Sequence, residues 1–392
     1  MVQGCARAVP ALTFLGTLVS HGPSMILDTV RRPLEELRVS VTDRCNLRCT
    51  YCMPLPEYDW LEKSSILSFE EISRLVQVFE QLGVREVRLT GGEPLVRRDL
   101  HRLVAMLAGI SGLNDLTLTT NGVLLEEQAA ALRQAGLKRI NISLDTLDRQ
   151  KFIRIAQRDE LERVLAGVEA ARREGFSPIK INMVVERGVN EDEILPMVRF
   201  CREKCLSLRL IEYMDVGNSN DWSMTKVVPK AEILKVLSEE LGLEPVGHRE
   251  HASDPAELFR LSRFGSSHPE PIDGAEGLDR SSADGSRSSA MPRRGVDVGV
   301  IASVTQPFCG GCTRARLTAD GKLVTCLFAS AGTDLKSLLR SGATDLQLAE
   351  RIAAVWSGRG DRFSEERLAA LHSTAGYHKD QFHKIEMITL GG

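Results

Sequence analysis

Leu37-Arg38-Val39-Ser40-Val41-Thr42-Asp43-Arg44-Cys45-Asn46-Leu47-Arg48-Cys49-Thr50-Tyr51-Cys52 is the stretch from which the rest of the chain can be read. Its first six residues alternate apolar and polar, the period of a half-buried β-strand. The three cysteines, at C-x3-C-x2-C spacing, therefore fall on the loop at the C-terminal end of that strand. A structural zinc usually takes four protein ligands, and no fourth ligand is apparent nearby. An iron–sulfur cube held by three thiolates would leave one iron open to an outside ligand. On the triplet alone, a zinc knuckle or a structural thiol cluster remains the alternative.

A chain of 392 residues can hold one large barrel-like domain and a smaller one. A net charge of −3 gives no global reason to expect nucleic acid or an anionic membrane as partner. Any polyanionic ligand must meet a local basic cluster. Nine cysteines is an odd count, and six of them form two tight groups, unlike a disulfide framework. That favours metal ligation in a reducing cytosol. Cys5, Cys201 and Cys205 remain; the last two lie four apart on an expected helix and read as core or inert thiols. Residues 1–24 read as a leader or a mis-assigned start, disordered in either case. Ala8 to Ser20 is too short to span a bilayer, nothing matches a signal peptide, and Met25 opens a run suited to a natural start.

Strand-like and helix-like patterns then alternate. Ser68 to Leu82 has helical spacing, with Ser68 and Glu71 forming a capping box and Gly83 closing it. Glu86 to Thr90 is the next strand, followed by Gly91-Gly92-Glu93-Pro94 and a helix from about Asp99 to Ala108. Leu116–Thr120, Arg139–Leu144, Ile179–Val185 and Leu208–Tyr213 are further strands, with helices between them. Six βα units imply a parallel sheet with right-handed crossovers. The expected fold is α/β: a partial (βα)6 TIM-type barrel, open because it has fewer than eight units, with its chemistry at the C-terminal strand ends. From about Gly265 to Gly295 Ser, Gly, Asp, Arg and Pro dominate without a period, which reads as a disordered low-complexity insertion. His248, His251 and His268, near or in it, read as solvated loop histidines. Order returns at Val298–Val304, a strand leading into the second cysteine group.

That group is Cys309-Gly310-Gly311-Cys312 and then Cys326, again three thiolates, with Thr313-Arg314-Ala315-Arg316 between them. By itself the pattern suits zinc as well as iron. The first triplet resembles the signature of the radical S-adenosylmethionine (SAM) superfamily. The two triplets together with Gly-Gly-Glu-Pro, Thr-Arg-Ala-Arg and a terminal Leu390-Gly391-Gly392 resemble the GTP 3′,8-cyclase family, the molybdenum-cofactor biosynthesis protein A family. The resemblance runs from about Met25 to Gly392, with the insertion as its main departure. It implies residues 25–245 as the radical SAM barrel and 246–299 as a connector with the insertion. Residues 300–392 would form a C-terminal auxiliary-cluster and GTP-binding domain with a Gly-Gly tail that reaches the active site.

In that family a SAM-derived radical abstracts the C3′ hydrogen of GTP, and the ribose carbon attacks C8 in the first step of molybdopterin synthesis. The resemblance therefore implies two [4Fe–4S] clusters, one on Cys45, Cys49 and Cys52, where SAM binds, and one on Cys309, Cys312 and Cys326, where the guanine binds. It implies SAM contacts at Tyr51, Gly92, Ser143 and Met214, with Glu93 able to accept from the SAM ammonium. It implies GTP contacts at Arg38, Arg88, Thr119 and Lys180, and at Arg209, Arg314, Ala315 and Arg316. Arginine suits a triphosphate because its planar fork pairs bidentately with phosphate oxygens. Where the family commonly has lysine, this chain has Glu86; Arg85 beside it is a candidate to supply that charge, although adjacent strand residues point to opposite faces.

The same resemblance implies a cytoplasmic enzyme that needs an electron donor and passes its product to the next enzyme of the molybdopterin pathway. No nucleic acid or membrane partner is expected, and a homodimer is a family expectation. Two other readings stay open on sequence. One is a radical SAM enzyme acting on a peptide, against which Arg314 and Arg316 count. The other is a zinc-binding or electron-transfer protein without catalysis, which would need neither Gly-Gly-Glu-Pro nor the strand-end arginines.

Overall fold

The computed structural model describes residues 25–218, 220–246, 255–262, 297–373, 377 and 384–391. The expected leader, the low-complexity stretch at 265–295, Cys5, the three loop histidines and Gly392 lie outside the described residues. The first part of the chain alternates strand and helix. In order come β1 (Glu36–Ser40), α1 (Phe69–Gln81), β2 (Glu86–Thr90), α2 (Leu100–Ala108), β3 (Asp115–Thr120), α3 (Leu125–Gln134) and β4 (Arg139–Ser143). They are followed by α4 (Arg149–Ala156), α5 (Leu161–Arg173), β5 (Ile179–Val185), α6 (Ile194–Glu203), β6 (Ser207–Glu212) and α7 (Lys230–Leu241). The remainder holds β7 (Leu243–Pro245), β8 (Glu257–Leu261), β9 (Asp297–Ile301), β10 (Arg314–Leu317), β11 (Lys322–Val324) and β12 (Thr333–Asp334). Last come α8 (Lys336–Arg340), α9 (Asp345–Ser357), α10 (Phe363–Leu371) and α11 (Met387–Leu390).

Strands β1 to β6 lie side by side in chain order and all parallel, as expected of consecutive βα units. The sheet is wider than those six. β9 adds to β6 and β10 adds to β1, both parallel, so eight parallel strands stand in one sheet. The C-terminal part of the chain thus supplies both flanks of the barrel wall, and the expected domain boundary at 299/300 cuts through β9. The two flanking strands are not paired with each other, so the barrel is open along that seam.

Side-chain alternation decides what each face does. Leu37, Val39, Val87, Leu89, Leu118, Ile140 and Ile181 point outward and are buried beneath the helices. Their neighbours Arg38, Arg88, Thr119, Asn141 and Lys180 point inward and line a cavity. Strands of a fully packed parallel sheet read as continuous apolar runs; these alternate because their inner face surrounds space for a polar ligand. The helices close the outer face. α1 begins at Ser68, whose side chain accepts from Glu71 N while Glu71 bonds back to Ser68 N, the capping box expected from sequence. Its apolar stripe, Ile72, Leu75, Val76 and Phe79, is fully buried, each side chain contributing about 1.5–3 kcal/mol.

α6 ends at Glu203, two residues before Cys205. Cys201 is buried on it, whereas Cys205 is exposed beyond its end at φ 56°, so the two do not share a helix face. Among the described residues no helix is long and apolar enough to cross a membrane.

Candidate functional site

The register of the sheet fixes the heights at which the functional residues stand. Arg314 lies level with Glu36, and Arg316, Arg38 and Arg88 form the next inward row. Thr90 and Ser40 close the top of β1 and β2. Cys45 follows β1 at its C-terminal end, whereas Cys312 precedes β10 at the opposite end of the wall. Four residues of strand separate the level of Glu36 from that of Ser40, about 13 Å. The two cysteine triads therefore face each other from opposite ends of one cavity, of about 360 Å³, which all six thiols line. The sequence led us to expect chemistry at the C-terminal strand ends; the second triad lies at the other end because residues 302–313 cross from β9 to the start of β10.

All six thiols are unpaired. Burial first, and the neighbouring thiolates after it, push Cys49 well above the usual thiol range and Cys52 up to about 12. Burial and Glu93 push Cys45 up to about 11. Cys312 differs: burial would raise it, but Arg314 and Arg359 outweigh that and bring it down to about 6. Among the described residues, no three Cys, His, Asp or Glu side chains converge so as to hold one metal ion. In an iron–sulfur cube each thiolate takes its own iron. Leu47 N and Asn121 Nδ2 also aim at the Cys45 sulfur, at 3.4 and 3.8 Å, the kind of hydrogen bond that tunes such clusters.

The first cysteine loop is held by its neighbours' backbone. Arg48 N and Thr50 N donate to the carbonyls of Ala156 and Ile155 at the end of α4. Gly92 N and Glu93 N donate to Thr42 O and Arg44 O, so Gly-Gly-Glu-Pro is zipped to the segment leading into Cys45. A Cβ at Gly92 would stand 2.5 Å from Arg44 O and 2.6 Å from Asp43 O. The glycine is required by that loop as well as by any ligand. Glu93 lines the cavity beside it. It is 1 % exposed, and its carboxylate accepts from Leu95 N, the Thr120 hydroxyl and Asn121 N. Three of its roughly four acceptor directions are thus occupied by the protein. Burial raises its pKa to about 7 despite these donors.

Tyr51, Gly92, Ser143 and Met214 all line the cavity. The Tyr51 hydroxyl donates to Asp145 at 2.8 Å, and Asp145 also accepts from Val184 N. Asp145 was not anticipated, although it lies two residues beyond Ser143, the strand spacing that puts side chains on one face.

Of the expected GTP contacts, Arg38, Arg88, Thr119, Lys180, Arg209, Arg314 and Arg316 line the cavity. Ala315 does not: strand alternation turns it outward into the core, where it is fully buried. The arginines gather around a residue the sequence reading passed over, Glu36, which takes Arg38 Nε at 3.0 Å and Arg88 Nε at 3.6 Å. Burial would raise its pKa, but Arg38, Arg88 and Arg314 hold it well below the usual carboxylate range. Glu36 sits two residues before Arg38, so the same alternation could have found it. Glu86 lies level with Glu36, and its carboxyl is raised by burial and by Glu36. Arg85 turns away and pairs with Glu80 at 2.8 Å, so it does not replace a cation at that position. The buried Thr119 Oγ1 and Arg88 Nε have no hydrogen-bond partner among the described residues. Such groups at a cavity wall fit a polar ligand.

Two further arginines brace the second triad. Arg359 Nη1 donates to Cys312 O at 2.8 Å, and Arg32 Nη1 donates to Cys309 O at 2.9 Å. Arg314 lies 5.0 Å over Phe308. The tail arrives from above: Arg316 Nη1 donates to Gly391 O at 2.6 Å, and Met387 lines the cavity.

The chain is similar to known proteins along most of its length. The family model described as Radical SAM superfamily matches residues 39–201, and that described as Molybdenum Cofactor Synthesis C matches residues 275–365. The second match begins inside the stretch expected to be an insertion. A GTP 3′,8-cyclase of Acidothermus cellulolyticus is 47% identical over 351 residues, 87% of this chain and 88% of that protein. One of Rhodopirellula baltica is 42% identical over 374 residues, covering 94% and 93%, and one of Staphylococcus aureus is 40% identical over 373, covering 94% and 99%. Among solved structures, Streptococcus suis SuiB bound to S-adenosylmethionine superposes with TM-score 0.52 at 15% identity, over 86% of this chain and 69% of that one. At that identity the likeness is one of fold.

Proposed function

The chain belongs to the GTP 3′,8-cyclase family of radical SAM enzymes, and on that premise we propose how its residues divide the work. It cyclises GTP to (8S)-3′,8-cyclo-7,8-dihydroguanosine 5′-triphosphate, the first step of molybdenum-cofactor biosynthesis, with SAM and two [4Fe–4S] clusters as cofactors. When bound, these cofactors supply the one-electron chemistry that opens a ribose C–H bond.

Cys45, Cys49 and Cys52 hold the first cluster, with Tyr51, Gly92, Ser143 and Met214 around SAM. Asp145 fixes the Tyr51 hydroxyl. Cys309, Cys312 and Cys326 hold the second cluster and so orient the guanine. Arg38, Arg88, Lys180, Arg209, Arg314 and Arg316 bind the triphosphate, with Thr119 as a neutral donor; Ala315 offers no side chain to it. Glu36 keeps the arginines aligned while they await the anion and leaves the cluster with surplus positive charge. The observation that carries this reading is the placement of two thiol triads at opposite ends of one cavity, with basic side chains between them. A substrate held by its base at one end is thereby presented to chemistry at the other, which is catalysis by positioning. On the same reading residues 25–245 act as the radical SAM barrel and 300–392 as the substrate-binding part. The enzyme works in the cytoplasm with an electron donor, hands its product to the next enzyme of the pathway and pairs as a homodimer.

The test is an anaerobic assay of reconstituted protein with SAM, dithionite and GTP, followed by mass spectrometry. The expected result is 5′-deoxyadenosine together with a cyclised GTP isomer. Deoxyadenosine beside unaltered GTP would transfer the radical machinery to another substrate, a peptide first. Neither product, from protein holding about eight irons, would overturn the reading.

A further inference from the structure

We propose that Asp215 is a positioning residue that fixes the last described segment of the chain, residues 384–391, across the cavity; for what the segment does there, the inference rests on the cyclase reading above. Asp215 lies just past β6, next to Met214, and is fully buried. One carboxylate oxygen accepts from Arg367 of α10, and the other accepts from Lys384 Nζ at 2.7 Å and from the Tyr377 hydroxyl. Lys384 Nζ also reaches the backbone oxygen of Asp215 at 2.8 Å. Both cations are as deeply buried as the carboxylate, and both lie over the ring of Phe328, which stacks on Phe363.

The elements joined by this carboxylate are those that have to keep their distance from one another. Met214 stands on the SAM side of the cavity. Phe328 is two residues beyond Cys326, and the next residue, Ala329, accepts from Ile385 N at 2.9 Å. Asn218 holds the same segment by its backbone, donating to Lys384 O at 2.6 Å and accepting from Lys384 N at 2.7 Å. Seven residues later Gly391 meets Arg316. Apolar packing alone would let the segment slide; charge-assisted bonds fix its register to within a bond length. A buried carboxylate with two buried cations is costly to assemble and strongly constraining once complete. Nothing in the binding of clusters or nucleotide employs it directly.

Two variants separate this role from a merely structural one. Lys384→Met removes the segment's cation and leaves the Asp215–Arg367 pair whole; Asn218→Ala loosens the same segment without changing any charge. Hydrogen exchange of residues 385–391 is followed by mass spectrometry in cluster-loaded protein, together with the ratio of 5′-deoxyadenosine to cyclised GTP. In both variants exchange of the segment accelerates roughly tenfold or more while β1 and β10 stay protected. SAM cleavage continues, and the ratio rises several-fold as cleavage uncouples from cyclisation. Unchanged exchange would overturn the anchoring, and faster exchange at an unchanged ratio would overturn its role in the reaction. A purely structural role would lower both products in parallel. A wild-type enzyme that cleaves SAM without cyclising GTP would sink the cyclase reading; the exchange data would then decide the anchoring alone.

Discussion

Arg316 on β10 donates from Nη1 to the carbonyl oxygen of Gly391 at 2.6 Å, so a residue of the cavity wall holds the tail in place. The arrangement leaves no room for a side chain at Gly391. Gly391 has φ 74°, a region that favours glycine, and a Cβ there would collide with the Thr90 side chain and stand 3.1 Å from Gly91 N. Gly391→Ala must therefore lift the tail off Thr90 or strain it by about 1–3 kcal/mol. Cyclisation falls by about tenfold or more, and deletion of residues 391–392 abolishes it, while iron content stays as in wild type. Product mass spectrometry and iron analysis check this; an alanine enzyme with full turnover would exclude a fitted tail.

Glu36 is the counter-ion around which Arg38, Arg88 and Arg314 assemble. Because its folded pKa lies below the ordinary value of about 4.3, its stabilisation is fully present above that pH. It is lost as pH falls through the lower folded value. Glu36→Gln leaves buried cations facing one another and costs about 3 kcal/mol. A triphosphate would replace the missing negative charge, so GTP raises the Tm of the variant more than that of wild type. Thermal unfolding with and without GTP measures this directly. Equal shifts in the two proteins would mean that the nucleotide does not enter the arginine cluster.

Gly92 is constrained by the main chain of the first cysteine loop. Alanine there would press on the carbonyls of Asp43 and Arg44, which are backbone atoms with no freedom to rotate away. The displaced loop carries Cys45. Gly92→Ala is expected to retain about four irons of about eight, held by the second triad, and to lose 5′-deoxyadenosine formation entirely. Full iron content with normal SAM cleavage would show that the loop yields without consequence.

What could be read from the sequence was local. The capping box at Ser68, the strand Glu86–Thr90 and the inward face of β1 and β2 follow from periods of 3.6 and 2, which neighbouring residues display. The thiol triads were legible because metal ligation imposes short spacings. The contacts that join distant segments were not. β10 pairs with β1 although Glu36 and its register partner Arg314 lie 278 residues apart, and Thr313 O accepts from Glu36 N. Asp215 meets Arg367 and Lys384 at separations of 152 and 169 residues, and no periodicity announces such partners. Arg359, in Gly-Arg-Gly-Asp, likewise carries no local signal for its bond to Cys312. Glu36 and Asp145 are a different case, since each sits two residues from a strand residue already singled out.

Thr119 offers a test in which stability and binding move in opposite directions. Its Oγ1 is buried at the cavity wall without a partner among the described residues. A buried hydroxyl left unpaired costs about 1–3 kcal/mol, whereas an apolar group of the same shape does not incur that cost. Valine has that shape. Thr119→Val is therefore expected to hold or raise the Tm of the nucleotide-free protein. If the partner of the hydroxyl is the nucleotide, the same change removes a hydrogen bond from the complex, weakening GTP binding by about fivefold to tenfold at a net value near 1 kcal/mol. A residue needed only for packing would lose stability and binding together, and one irrelevant to both would change neither. Thermal shift with a GTP titration on cluster-loaded protein distinguishes these cases. A variant that is less stable yet binds GTP normally would remove Thr119 from the binding site.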